Sequence, residues 1–196
     1  MMVPKHLSGG WIEVVTGCMF SGKTDELIRR LERAEIAGHK TQVFKPSIDN
    51  RYGKEVIGSH NGRKWKAKIV ENDEGGVEQI ARNSEADVVG IDEGNFFPDR
   101  LIETVEELAN SGKRVIVCGL DTNFRGEPFE PMHHIMARAE YVEKLRAICH
   151  SCGEPATRTQ RLIDGEPARE DDPTIVVGAD EKYEARCRTC HEVLRD

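Results

Sequence analysis

Aromatic side chains are scarce in this sequence: two Trp, three Tyr and six Phe, or 6% of 196 residues. A core made with so few rings rests on aliphatic packing, so each aromatic beside a motif is a candidate wall for a ligand. No run of about 18 apolar residues occurs, which excludes a membrane-spanning helix. Met1 to Gly10 carries Lys5 and His6 with no apolar stretch behind them. No secretion signal is therefore expected, and the cytosol is the expected location. A basic excess is also lacking, with 28 Lys and Arg against 35 Asp and Glu, for a net charge of −7. Such a surface repels phosphate backbones and argues against nucleic acid as a partner. A small phosphate-bearing substrate is still compatible with it, because a helix dipole and one or two cations suffice to hold one. Repeats and low-complexity tracts are missing as well. The six cysteines of a cytosolic chain are expected to be thiols rather than disulfides.

What is present alternates between strand and helix signals. Trp11 to Thr16 (WIEVVT), Thr41 to Lys45 (TQVFK), Asp87 to Asp92 (DVVGID) and Arg114 to Leu120 (RVIVCGL) are short, apolar and β-branched, as buried strands are. Thr24 to Ala37 places Leu27, Ile28, Leu31 and Ala34 on one helical stripe and stops at Gly38; Arg100 to Asn110 does the same with Leu101, Ile102, Val105 and Leu108. Gly76 to Asn83 is a short helix candidate. Ser47 to Lys68 reads as a loop with a weak hairpin, and Glu140 to Cys149 fits strand or helix. This alternation predicts an α/β fold over residues 1–148, a parallel sheet with helices on both faces. From residue 149 to 196 the composition shifts to cysteine, proline and charge, predicting a small second module that cannot rest on a core alone.

Gly17-Cys18-Met19-Phe20-Ser21-Gly22-Lys23-Thr24 fits G-x-x-x-x-G-K-[ST] between a predicted strand and a predicted helix. Gly17 and Gly22 permit the tight turn that aims successive N–H groups at a phosphate. The following helix adds its positive end, Lys23 a mobile cation, and Thr24 a hydroxyl for Mg²⁺. Gly17, Met19, Ser21, Gly22, Lys23 and Thr24 are thus the candidate ATP contacts in a P-loop NTPase-like domain. The strand Val88 to Ile91 ends in Asp92-Glu93. Beside a phosphate loop, one carboxylate is expected to hold Mg²⁺ and the other to accept a proton, and Asp92 and Glu93 are assigned in that order. These motifs alone leave open whether the nucleophile is water or a substrate hydroxyl.

Cys149-x-x-Cys152 and Cys187-x-x-Cys190 are two knuckles 34 residues apart, the ligand pattern of a closed, structural, tetrahedral Zn²⁺ site. The wide gap implies an extended loop pinned at its base by the metal. His191 is an alternative to Cys190 as fourth ligand. Cys18 and Cys118 stand alone and are read as structural thiols, with reactivity at either left open. Between Cys149 and Cys190 six Lys and Arg face nine Asp and Glu, a poor surface for tracking nucleic acid.

In order, the segments GCMFSGKT (17–24), DNRY (49–52), SHNG (59–62), VVGIDEGNFF (88–97), GLDTNFRGEPF (119–129), CHSCGEPATRTQR (149–161) and VVGADEKYEARCRTC (176–190) resemble the type II thymidine kinases. The resemblance covers nearly the whole chain. It implies a zinc ribbon or lasso that covers the nucleoside, ATP as phosphoryl donor, thymidine as acceptor, feedback inhibition by dTTP and a homotetramer. It implies Glu93 as the base and Arg51, from the segment containing Asp49, as a cation near the transferring phosphate. It further implies Met19, Phe96 and Leu120 as walls of the thymine pocket, and Thr159, Tyr183 and the backbone near Val176 and Gly178 as its cover. Phe124 and Phe129 are expected beneath the site. Cys18 stands where this family most often has proline, and Asn95 where it usually has glutamine.

Overall fold

The computed structural model describes residues 9–49, 55–58, 61–82, 85–174 and 182–195. Trp11–Thr16 forms β1, Lys23–Ile36 α1 and Thr41–Pro46 β2. Val56–Gly58 (β3) and Lys64–Lys66 (β4) make the expected hairpin. Lys68–Val70 (β5) follows, then Glu74–Arg82 (α2), Val88–Ile91 (β6), Arg100–Asn110 (α3), Arg114–Gly119 (β7), Met132–Arg138 (α4) and Tyr141–Lys144 (β8). β5, α4 and β8 are the elements the pattern did not resolve. α2 starts earlier than its apolar residues indicated, because the Asp73 carboxylate accepts the Gly76 N–H at 2.8 Å and satisfies an end donor.

Six of these strands form one all-parallel sheet in the order β5-β2-β6-β7-β1-β8. Its central strands are buried on both faces, which explains why they read as unbroken apolar runs. Val14, Val115 and Val117 pack with Val77, Ile80, Leu101 and Val105 from α2 and α3. Their neighbours Val15, Ile116 and Cys118 point the other way, onto Leu27, Ile28 and Leu31 of α1. The chain thus has a parallel sheet with helices on both faces, as expected.

The last part of the chain is built from hairpins. Ala147–Ile148 (β9) pairs antiparallel with Pro155–Ala156 (β10), and Arg158–Ile163 (β11) lies between Glu166–Pro167 (β12) and Lys182–Arg186 (β13). The stretch from Glu140 to Cys149 therefore resolves as two strands, β8 joining the parallel sheet and β9 opening the cysteine-bearing part. Among the described residues, no helix is long and apolar enough to cross a membrane.

Candidate active site

Because β6, β7 and β1 are adjacent and parallel, the loops leaving their carboxyl ends open onto the same edge of the sheet, where ligands of such folds bind. The loop after β1 is the G-x-x-x-x-G-K-T segment. Gly17 has φ 139°, and a Cβ there would lie 2.5 Å from the Leu145 carbonyl oxygen; Gly22, at φ 86°, caps α1. Both positions therefore require glycine. The Lys23 ammonium donates to the Cys18 carbonyl at 2.9 Å, closing the loop on itself. Ser21 Oγ is buried without a hydrogen-bond partner. A buried hydroxyl left open in a loop of this shape fits a phosphate oxygen.

Asp92 is 4% exposed, and its Oδ2 accepts the Thr24 hydroxyl at 3.3 Å. Two oxygens bound side by side to an octahedral Mg²⁺ with bonds of about 2.1 Å stand about 3 Å apart, so this pair suits that ion. The Asp92 Oδ1 accepts the Glu93 N–H at 3.1 Å. Glu93 is half-buried and takes a left-handed backbone, φ 51° and ψ 44°. A non-glycine residue held there stores strain of order 1–3 kcal/mol, a cost that clusters at functional sites.

The turn Gly94–Phe96 separates two adjacent phenylalanines. Phe97 enters the core at 4% exposed, whereas Phe96 stays half-buried at the sheet edge. Phe96 is thus free of the core packing that an aromatic after a strand ordinarily has. Asn95 is buried, and its Oδ1 accepts the Leu120 N–H at 2.9 Å, so it braces the segment after β7. Leu120 and Met19 are half-buried beside it in sequence and strand order. Asp49 is buried 3.9 Å from the ammonium of Lys45, which is fully buried. Arg51, Val176 and Gly178 lie outside the described residues.

The sulfurs of Cys149, Cys152, Cys187 and Cys190 lie within 4.8 Å of one another. Four thiols at that spacing are the donor set of a tetrahedral Zn²⁺ site. His191 is not among them: its Nε2–H donates to the Phe124 carbonyl at 2.7 Å. Burial lowers the His191 pKa, which keeps the imidazole neutral. The open choice between the two residues thus falls to Cys190.

The cysteine part is joined directly to the phosphate loop. The Met19 N–H donates to the Thr159 hydroxyl at 3.1 Å, and Cys18 Sγ donates to the Ala156 carbonyl at 3.4 Å. Cys18 also packs with Ala147, Cys149, Ala156 and Ala185. Burial pushes the Cys18 thiol up and the Cys118 thiol up strongly, so both are packing residues with little thiolate character. Thr159 pairs with Ala185, and Arg161 with Tyr183, which places Thr159 and Tyr183 on one face of the hairpin.

Sequence reasoning missed the arginines of this junction. Arg125 donates to the Glu170 carbonyl at 2.6 Å, to Thr174 Oγ1 at 2.7 Å and to the Asp172 carbonyl, with its guanidinium 4.5 Å from the Phe124 ring centroid. The buried Arg161 lies 5.3 Å from the same ring and donates to the Pro173 carbonyl. Phe124 is therefore a platform between two cations that fix the 170–174 loop. The GLDTNFRGEPF segment held the signal, as an arginine directly after a phenylalanine.

The profile of a family described as thymidine kinase matches residues 10–191. Thymidine kinases from two strains of Halobacterium salinarum are 59% identical over 191 residues, covering 96% of this chain and 97% of theirs. One from Haloquadratum walsbyi is 54% identical over 221 residues, with 96% and 97% covered. Among solved structures, the flagellar accessory protein FlaH from Methanocaldococcus jannaschii shares 12% identity at a TM-score of 0.48, over 76% of each chain.

Proposed function

We propose that this chain, which belongs to the thymidine kinase family, transfers the γ-phosphoryl group of ATP to the 5′-hydroxyl of thymidine, giving thymidine monophosphate and ADP. The observation that carries the reading is the alignment of three parts on one sheet edge: the phosphate loop, the Thr24–Asp92 oxygen pair at 3.3 Å and the strained Glu93 next to it.

The 5′-oxygen attacks the γ-phosphorus in line while the bond to the β–γ bridging oxygen breaks. The proton leaving the hydroxyl goes to the Glu93 carboxylate. Mg²⁺, when bound, neutralises charge on the β- and γ-phosphate oxygens. Thr24 and Asp92 are the residues to hold it, and the N–H groups of residues 17–24 cradle the phosphates. Lys23 leaves the Cys18 carbonyl to meet the β and γ oxygens. Arg51 is assigned to the charge that develops on the transferring group, on the strength of the DNRY segment. Positioning and fixed charge supply most of the acceleration in such a reaction.

Met19, Phe96 and Leu120 form the walls of the thymine site. The module from residue 149 to 196 covers the nucleoside through Thr159, Tyr183 and the backbone near Val176 and Gly178. Zn²⁺, held by the four cysteines, pins this cover and takes no part in transfer. A cytoplasmic homotetramer inhibited by dTTP completes the proposal; its support is the resemblance of the motifs.

The test is ADP formation by purified protein with ATP and Mg²⁺, alone and with thymidine, deoxycytidine or single-stranded DNA. Thymidine-dependent production of thymidine monophosphate is expected. Hydrolysis that ignores thymidine, or rises only with DNA, would reassign the site to a nucleotide hydrolase.

A further inference from the structure

A second group of metal-ligating side chains lies away from the four cysteines. Glu130, His133 and His134 each present one donor atom, and the three atoms lie within 4.8 Å of one another. The Glu130 carboxylate is split between the rings: Oε1 is 3.3 Å from His133 Nε2, and Oε2 is 3.6 Å from His134 Nε2. The two rings lie side by side with centroids 4.1 Å apart.

The tautomer of His133 follows from its other nitrogen. Nδ1 is 3.4 Å from the Phe129 carbonyl, which can only accept, so the proton is on Nδ1. In the neutral ring, Nε2 is then a bare lone pair facing a carboxylate oxygen. Two acceptors at 3.3 Å repel unless a proton or a cation sits between them. A backbone carbonyl fixing Nδ1–H is also the usual outer support of a metal-bound histidine.

The spacing suits a cation. Donors bound at about 2.1 Å and separated by 90° to 109° stand about 3.0 to 3.4 Å apart, within a few tenths of an ångström of the two distances here. Two imidazoles and one carboxylate select zinc-like divalent transition ions over Mg²⁺ or Ca²⁺, which prefer oxygen alone. All three side chains are between 37% and 56% exposed, so an ion has access and water can fill the remaining positions.

We propose that Glu130, His133 and His134 form a second, accessible site for a zinc-like divalent ion, distinct from the cysteine site. Glu130 precedes α4 and the two histidines lie on it, so the ion clips this two-turn helix to the chain that leads into it. That helix backs the reaction edge: Met132, fully buried, lies so close that a Cβ added to Gly94 or Gly119 would fall 3.0 Å or 2.8 Å from its sulfur. Holding α4 therefore steadies the floor of the turn that carries Glu93.

The test is a titration of zinc-replete protein with Zn²⁺ by calorimetry, repeated with Co²⁺ by visible absorption. One further equivalent is expected, with Co²⁺ bands that lack thiolate-to-metal charge transfer, and with a rise in Tm on binding. Glu130→Gln should weaken this equivalent at least about tenfold, and His133→Ala/His134→Ala should abolish it, while the cysteine-bound zinc stays in place. Absence of a second equivalent in the unaltered chain would mean the group is only a proton-mediated ion pair, and would overturn the proposal. So would a second equivalent that survives in both variants. Circular dichroism of each variant separates loss of the ligands from loss of the fold. None of these readouts depends on the reaction proposed above.

Discussion

The Met19 amide and the Thr159 hydroxyl meet at 3.1 Å, so the loop that cradles phosphate and a strand of the cysteine-bearing part share a hydrogen bond. Thr159 is 3% exposed, which makes the bond worth about 1 kcal/mol. Thr159→Val is expected to raise KM for thymidine about fivefold, and Thr159→Ser to restore it. A steady-state comparison of the three proteins checks this.

Glu93 is placed to take the proton of the acceptor hydroxyl. Glu93→Gln should keep ATP binding and lower kcat by about 10² or more. Nucleotide affinity by calorimetry and turnover by ADP release separate the two effects; unchanged turnover would remove Glu93 from this role.

Phe96 and Phe97 are adjacent but do different work. Phe97→Ala should cost about 3–5 kcal/mol of stability, since that ring fills the core. Phe96→Ala should leave the denaturant midpoint nearly unchanged and raise KM for thymidine. Equal losses of stability in both variants would place Phe96 in the core after all.

Much of the sheet and its phosphate loop was legible because buried parallel strands and an amphipathic α1 leave strong periodic signals. The strand β11 left none. Thr159, Gln160 and Arg161 are consecutive, polar and all buried, so no alternation marks them. Their polar atoms are satisfied by distant carbonyls: Gln160 Nε2 donates to Glu192, and Arg161 to Pro173. α4 was missed because only Met132 and Ile135 in its seven residues are buried. The identity of the fourth zinc donor needed coordinates, because only they show His191 turned to Phe124.

Glu13 anchors the start of β1. It is 2% exposed and accepts from Trp11 at 2.7 Å, Arg114 at 2.6 Å and Arg30 at 2.7 Å. Burial alone would raise its pKa; the hydrogen bond and charge of Arg114, the bond from Trp11 and the charge of Arg30 outweigh it and lower the pKa below 4.5. A lowered carboxylate pKa contributes stability that is complete above pH 4.5 and is lost as pH falls through the folded value. Glu13→Gln should therefore destabilise by about 3 kcal/mol at pH 7. The gap from the unaltered protein should narrow in urea melts run progressively below pH 4.5.

Cys190→Ser should lose the thiolate-bound metal, whereas His191→Ala should keep it. Co²⁺ substitution reads the difference directly through thiolate charge-transfer absorption. Loss of that signal in His191→Ala alone would return the fourth position to the histidine.

The Lys23 ammonium resting on the Cys18 carbonyl has a kinetic consequence. The cation is parked on a neutral acceptor 2.9 Å away, inside the very loop it serves, so an arriving triphosphate displaces it by rotation about a few side-chain bonds. Those rotations take nanoseconds or less. Donor capture should then be paced by diffusion and by the protein's net charge of −7, with added salt hastening the encounter by screening that repulsion.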